Sequence, residues 1–345
     1  MKELFDKLYA GRNLSEDESK QMFTQIFNGK MSDVELSSLL TALKVKGESA
    51  DEVSGAALAM LEAADKIKKP DYPVGEIVGT GGDGMNTFNI STISAILASC
   101  LGLHIAKHGN RAVSSKTGAS DLLAALGYNI NASHEKTYEI LEKEGFAFIF
   151  AQSFHKAMKY AAPVRQQLKT RTIFNLLGPL TNPIHPDYEL LGVYDANLCT
   201  LMANTLRKTG LKRALCVNGL GMDEIASFGT THVAELRADG KIVQYEVNQD
   251  TFGFSKNITI DEIRGAEHDT NAKIAVSVLS GNGTDAQNIT VAVNLGALVY
   301  LAGKAESLKQ GFEMAMECIK SGKGIEKLHR VCQLSQEGAA AEGNG

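Results

Sequence analysis

The sequence predicts an α/β architecture, with a small N-terminal helical domain followed by a larger α/β domain built on a mainly parallel central sheet. Three observations support that expectation. Residues 1–66 contain three helix-start signatures in succession. Pro70 and Pro73 then break the helical pattern. Beyond them, short β-branched or aromatic runs alternate with helical periodicity, the pattern of βα units. With 345 residues, 44% hydrophobic and 22% charged, the chain has length for about two domains and enough apolar residues for a sizeable core.

The helix starts are Ser15, Ser32 and Ser49, each followed three residues later by a glutamate (Glu18, Glu35, Glu52) and then by an apolar-periodic run. In such a capping box the serine accepts an N–H of the first turn and the glutamate accepts the serine's own N–H. The helical domain is expected over 1–70, completed by part of 165–190, and the α/β domain over 71–334. Strands are expected at Glu76 to Val78, Leu103 to Ala106, Phe146 to Phe150, Leu190 to Tyr194 and Ala214 to Val217. His232 to Leu236 and Ile242 to Val247, joined across Asp239 and Gly240, read as an antiparallel hairpin. The segment from about Asn271 to Leu334 reads as helix, and 335–345 as a disordered, low-complexity tail.

A net charge of −5 argues against a chain-wide attraction to nucleic acid or to an anionic membrane. Five scattered cysteines without a CxxC pair suggest reduced thiols in a cytoplasmic protein; Cys100 and Cys216, inside apolar runs, are expected to be buried. No stretch is long and apolar enough for a membrane span, and the N-terminal run is interrupted by charges.

Glycine is in excess, with 33 residues, and the excess is concentrated in Gly79-Thr80-Gly81-Gly82-Asp83-Gly84. This loop follows a strand and precedes a helix expected to run to about Cys100, with Asn89 and Ser91 as candidate caps. Free N–H groups and the positive end of a helix dipole make such a junction an anion site. Positions 79, 81 and 84 also fit GxGxxG, but a dinucleotide site needs an acid ~20 residues further on. No Asp or Glu occurs between Asp83 and Asp121, a window that instead contains His104, Lys107, His108, Arg111 and Lys116. Nor does a GK[ST] follow the glycines, which excludes a Walker loop. A ligand with several phosphate charges fits best.

A second polar stretch, Lys107 to Asp121, follows at once. GTGGDGMNTFNIST (79–92) and KHGNRAVSSKTGASD (107–121) resemble the two phosphoribosyl-pyrophosphate motifs of the anthranilate phosphoribosyltransferase family. The resemblance continues through PVRQQLKTRTIFNLLGPLTNP (163–183) and GMDEIASFGTTHVAEL (221–236) and covers residues 1 to about 333. It implies a phosphoribosyl pyrophosphate site formed by Gly79, Gly82, Asp83, Thr87, Asn89, Ile90, Ser91, Thr92, Lys107, His108, Gly109, Asn110, Arg111, Ala112, Val113, Ser114, Ser115 and Ala119. The last departs from the serine common in the family and can offer only its N–H. It further implies an anthranilate site at Gly79, His108, Asn110 and Arg165, and Mg²⁺ held by Ser91, Asp223 and Glu224. The expected reaction transfers the phosphoribosyl group to the amine of anthranilate in tryptophan biosynthesis, with no covalent nucleophile and no assigned general base. The active site is expected in the cleft between the domains, and a homodimer through the helical domains. The alternatives are a pyrimidine nucleoside phosphorylase-like enzyme, against which the GTGGD loop and the MDE triplet speak, and a non-catalytic nucleic-acid-binding paralogue, which is expected to be basic and to lack Asp223, Glu224 and Arg165.

Overall fold

The computed structural model describes residues 1–111 and 116–337. Its first four helices are α1 (Lys2–Tyr9), α2 (Glu16–Phe27), α3 (Asp33–Lys46) and α4 (Ala50–Ala63). All three capping boxes form, with Ser15, Ser32 and Ser49 accepting from Glu18, Glu35 and Glu52 and the glutamates answering. Each satisfies two N–H groups that a helix start leaves without partners.

The sheet has seven strands: β1 (Gly75–Gly79), β2 (Ile105–Gly109), β3 (Phe146–Phe150), β4 (Tyr188–Gly192), β5 (Arg213–Gly219), β6 (Thr231–Leu236) and β7 (Ile242–Val247). Their order is β3-β2-β1-β4-β5-β6-β7. The first five in that order run parallel, and the β6–β7 hairpin extends the sheet antiparallel. β2 ends at Gly109 rather than Ala106, and β4 starts at Tyr188 and stops at Gly192, two residues earlier than expected at each end. The β2 difference arises because the strand carries Lys107 and His108, polar residues with partners on opposite faces.

Between and after the strands lie α5 (Ile90–Cys100), α6 (Ala119–Ala125), α7 (His134–Glu144), α8 (Ala151–Phe154), α9 (Ala162–Leu168), α10 (Phe174–Leu177), α11 (Leu198–Lys208), α12 (Gln249–Phe252), α13 (His268–Leu279), α14 (Asp285–Leu301), α15 (Leu308–Lys320) and α16 (Gly324–Gln336). α16 runs two residues into the stretch expected as tail, and residues 338–345 lie outside the described ones.

Three apolar clusters cover the sheet, the smallest formed by Ala106, Ala147 and Ile149 with Val74, Leu141, Phe154 and Ile184. Ile77, Leu190, Leu215 and Val217 pack with α5 and α13 to α16, while Leu191, Val193, Ala214 and Cys216 pack with α11 and the N-terminal helices. The bundle core therefore continues onto the sheet. Val164, Ile173, Phe174, Leu177 and Leu180 belong to that second core, where the Phe174 ring meets Phe23 and Phe27 edge-on at 5.8 and 6.4 Å. Cys216 is buried as expected, but Cys100 is only half-buried, because it closes α5 near the surface. Among the described residues no helix is long and apolar enough to cross a membrane.

Candidate functional site

β1 has β2 on one side and β4 on the other, so the chain reverses its direction of travel across the sheet between β1 and β4. Ligands of open parallel sheets bind at the carboxyl ends of the strands flanking such a point. The glycine loop leaves β1 there, with Gly79 paired to Gly192 at the end of β4 and Thr80 donating its N–H to Gly192 O at 2.9 Å. Asp223 lies across both glycines. A Cβ at Gly79 would stand 2.1 Å from Asp223 Oδ2, and one at Gly192 would stand 1.6 Å from the Asp223 carbonyl. Glycine is required at both positions because any side chain would occupy the space of Asp223. Its carboxylate accepts the Gly81 N–H at 2.6 Å.

Three carboxyls converge beside this loop. Burial, then the charge of Asp83, push Asp223 up to about 7; burial and Asp223 raise Glu224 well above the ordinary carboxylate range, although it accepts an N–H from Ser91. Lys107 reaches beneath them. Buried, it donates through Nζ to Ile77 O at 2.9 Å and to Ser91 Oγ at 3.2 Å, and its pKa is lowered by burial. Like charges in one place raise one another's pKa unless a cation joins them. The donor set suits a hard divalent ion, since Mg²⁺ takes one or two carboxylates and leaves the remaining positions to water and phosphate oxygens. Among the described residues no three His, Cys, Asp or Glu side chains form a ready-made metal cage.

Other members of the first motif sit close by. Asn89 precedes α5 but does not cap it through its side chain. Its Nδ2 donates to Thr117 O at 3.1 Å and its Oδ1 accepts from Asn271 at 3.0 Å, so it braces the loop between neighbouring segments. Thr92 Oγ1 is buried and has no hydrogen-bond partner among the described residues. Thr87 bridges to Arg264, and Ile90 is buried at the start of α5. Gly82, at φ +75°, accepts from Arg171, whose guanidinium stacks over the Tyr194 ring at 4.0 Å.

The second stretch continues from β2. His108 is buried, with Nδ1 3.0 Å from Gly178 O and its ring 5.2 Å from His155; burial holds it neutral, at about 3. Asn110 Oδ1 accepts from the Arg111 N–H and from Gln152 Nε2. Arg111 lies 3.6 Å from Asp121, and a Cβ at Gly109 would meet Phe148 and Ala119, so the strand end and the start of α6 touch. Ala112, Val113, Ser114 and Ser115 lie outside the described residues. Arg165 on α9 stands over the Phe174 ring at 5.1 Å and has no ion pair among the described residues.

Gly79, Gly82, Asp83, Ser91, Lys107, Asp223 and Glu224 are thus brought together, while no described contact joins Arg165 to them. Arg171, six residues on, makes that link and was not singled out in the sequence. Glu76 and Asn182 were also missed. Glu76 accepts the His108 N–H at 3.0 Å and Asn182 Nδ2 at 2.8 Å. Arg171 and Asn182 both lie within the third motif, but their partners are 89 and 106 residues away, so local pattern gives no sign of them.

A helical-bundle-domain model of the glycosyl transferase family matches residues 2–64, and the a/b-domain model of that family matches 71–325. The anthranilate phosphoribosyltransferase of Tolumonas auensis is 47% identical over 330 residues, covering 96% of this chain and 98% of that protein. The chain belongs to the anthranilate phosphoribosyltransferase family. Solved structures of that family share the fold. The Thermus thermophilus enzyme superposes with a TM-score of 0.92 at 39% identity, covering 96% of this chain and 99% of that one. The Saccharomyces cerevisiae enzyme, in complex with PRPP and Mg, does so at 0.87 and 28%, covering 97% of each.

Proposed function

We propose that the chain transfers the 5-phosphoribosyl group of phosphoribosyl pyrophosphate to the amine of anthranilate, giving N-(5-phosphoribosyl)anthranilate and pyrophosphate in tryptophan biosynthesis. The observation behind this reading is the glycine loop at the switch point with Asp223 folded over Gly79 and Gly192. Open N–H groups for phosphate and carboxylates for a divalent ion are side by side there.

Breaking the sugar C1–O bond leaves a cationic sugar and a polyanionic leaving group, so catalysis falls to stabilising that charge and holding the amine below C1. The glycine loop, the start of α5 and the stretch from Lys107 to Ser115 bind the phosphates. Ser91, Asp223 and Glu224 hold Mg²⁺, which when bound neutralises the developing pyrophosphate charge. Lys107 orients the Ser91 hydroxyl from below and supplies one buried positive charge to the acidic cluster. His108, Asn110 and Gly79 line the acceptor side, and Arg165 takes the anthranilate carboxylate with its two-pronged guanidinium. An arylamine is neutral near pH 7 and attacks without a strong general base. Residues 1–70 with part of 165–190 form one wall and residues 71–334 the other, and closure of this cleft excludes water from the reactive sugar.

The protein is read as a cytoplasmic homodimer. A groove of about 920 Å³ on the bundle, lined by Tyr9, Val34, Thr41, Val45 and Leu168, supports the second part, because Tyr9, Val34 and Val45 are 60 to 82% exposed. Apolar side chains grouped in this way mark a contact surface. The deciding assay mixes the chain with phosphoribosyl pyrophosphate, Mg²⁺ and anthranilate and follows the loss of anthranilate fluorescence. Unchanged fluorescence, together with phosphate-dependent cleavage of a pyrimidine nucleoside, would replace this reading.

A further inference from the structure

Two glutamates lie side by side in the sheet. Glu76 on β1 and Glu189 on β4 are register partners, at 0% and 1% exposure. Two ionised carboxyls cannot share such a place without a cation between them, and their surroundings differ. Both oxygens of Glu76 are occupied as acceptors, Oε1 by the main-chain N–H of His108 at 3.0 Å and Oε2 by Asn182 Nδ2 at 2.8 Å. The Lys107 ammonium adds a favourable field. Glu189 has no such donors among the described residues. Among those residues its Oε1 is buried without a partner; it interacts electrostatically with Glu76 and the Cys216 thiol, and it borders a cavity of about 210 Å³ also lined by Asn182 and by the titratable Lys69, His185, Asp187 and Lys212. A carboxylate is stabilised by N–H donors, whereas a group without them stays neutral.

We infer that Glu76 is the ionised member of this pair and a positioning residue for the acceptor side of the site, while Glu189 carries the proton. Asn182 also donates to Ala106 O at 2.8 Å, and the His108 ring meets Gly178 O. Glu76 therefore ties the end of β2 to the segment from Gly178 to Asn182, which packs against the bundle. His108 and Asn110 project from that tie. Burial raises both carboxyls, Glu76 to about 7 and Glu189 well above the ordinary carboxylate range, and it is the Asn182 donor, the Lys107 ammonium and the His108 N–H that hold Glu76 down.

The kinetic half of the test rests on the proposed reaction; the spectroscopic half does not. In Glu76→Gln the new amide keeps one acceptor, but its nitrogen meets the second donor and one bond is lost. The KM for anthranilate is expected to rise about tenfold, as for one buried bond to a charged group, with the KM for phosphoribosyl pyrophosphate changed less than about twofold. Glu189→Gln copies the shape and neutrality of a protonated acid and should leave both within about twofold. Amide exchange at His108 should accelerate in Glu76→Gln and stay unchanged in Glu189→Gln. The infrared carbonyl band of a buried protonated carboxyl should vanish in Glu189→Gln and persist in Glu76→Gln. The reverse pattern, or equal KM effects on both substrates in Glu76→Gln, would overturn the assignment. Should Glu76→Gln not fold, Asn182→Ser removes a donor to the same carboxylate, and an unchanged anthranilate KM in that variant would overturn it equally. If the parent chain shows no transferase activity, the proposed reaction fails, while exchange and infrared still decide the protonation.

Discussion

Replacing Gly79 by alanine tests the site at its tightest point. The added Cβ would stand 2.1 Å from Asp223 Oδ2, 2.7 Å from its Cγ and 3.1 Å from its carbonyl oxygen. To restore van der Waals separation the carboxylate has to retreat by about 1 Å or more. The Gly81 N–H bond, now 2.6 Å, then stretches beyond hydrogen-bond range. A lost bond to a charged group amounts to about 1.5 to 3 kcal/mol, or roughly 10- to 100-fold in an equilibrium constant. Because Asp223 is the proposed Mg²⁺ ligand, that loss should appear as a half-saturating Mg²⁺ concentration raised at least about tenfold. Turnover followed against Mg²⁺ by anthranilate fluorescence measures it, with thermal unfolding run alongside. Gly84→Ala is the control. Gly84, unlike Gly79, has a positive φ, +75°, and among the described residues nothing lies within 4 Å of its Cβ position. It should lose about 1 to 2 kcal/mol of stability to left-handed strain and keep its Mg²⁺ response. A Gly79→Ala variant with the parent Mg²⁺ dependence, or a Gly84→Ala variant shifted as far, would refute the argument that Asp223 depends on glycine for its place.

Asp223→Asn with Glu224→Gln should weaken the apparent Mg²⁺ affinity at least about tenfold and lower turnover; a superimposable Mg²⁺ titration removes both from the metal site. Arg165→Ala should raise the KM for anthranilate about 10- to 100-fold, the worth of a charged hydrogen bond, and the KM for phosphoribosyl pyrophosphate much less. Equal effects on both substrates would sink that role. Val34→Lys with Val45→Asp places opposite charges in the bundle groove, and sedimentation should then show a monomer; an unchanged dimer puts the interface elsewhere. Glu189, held neutral in the fold by burial and by Glu76, ionises in the unfolded chain above about pH 4.3. Folding then takes up a proton, so its contribution is complete below that pH and falls by about 1.4 kcal/mol per pH unit as pH rises toward its folded pKa. Urea unfolding at pH 5, 6 and 7 should show the parent losing stability relative to Glu189→Gln at about that slope, and parallel curves would show that Glu189 is charged in both states.

What was legible in the sequence is what neighbouring residues decide. Ser15 and Glu18 form a capping box because three residues of helix bring them together, and the β6–β7 hairpin follows from two alternating runs around Asp239 and Gly240. The glycine loop falls between a strand and a helix in the order read. Contacts across the chain were not legible. Asn89 looks like a helix cap, yet its amide is committed to Thr117 and Asn271, the latter 182 residues away. Arg171 has the composition of any surface arginine until the fold sets it over Tyr194 and against Gly82. Glu76 reads as one polar residue in a short strand, and its significance lies in Asn182 and Glu189, both more than 100 residues on.

The β2 strand shows why the second motif must be a strand end and not merely a polar loop. Successive strand residues point to opposite faces, and Lys107 and His108 obey this. Lys107 turns toward α5, where it meets Ser91, and His108 turns toward Gly178 on the bundle side. Under the proposed reaction one dipeptide thus serves both halves of the chemistry, a buried cation for the phosphate and metal side and a neutral imidazole for the acceptor side. Inserting or deleting one residue in β2 would exchange the faces, leaving a lysine opposite Gly178 and an imidazole beneath the acidic cluster. The pairing of Ile105 to Gly109 with Phe146 to Phe150 fixes that register, and Glu76 fixes it again from β1 through the His108 N–H. The geometry of the two substrate sides is therefore a property of strand register, set by packing well away from any atom that reacts.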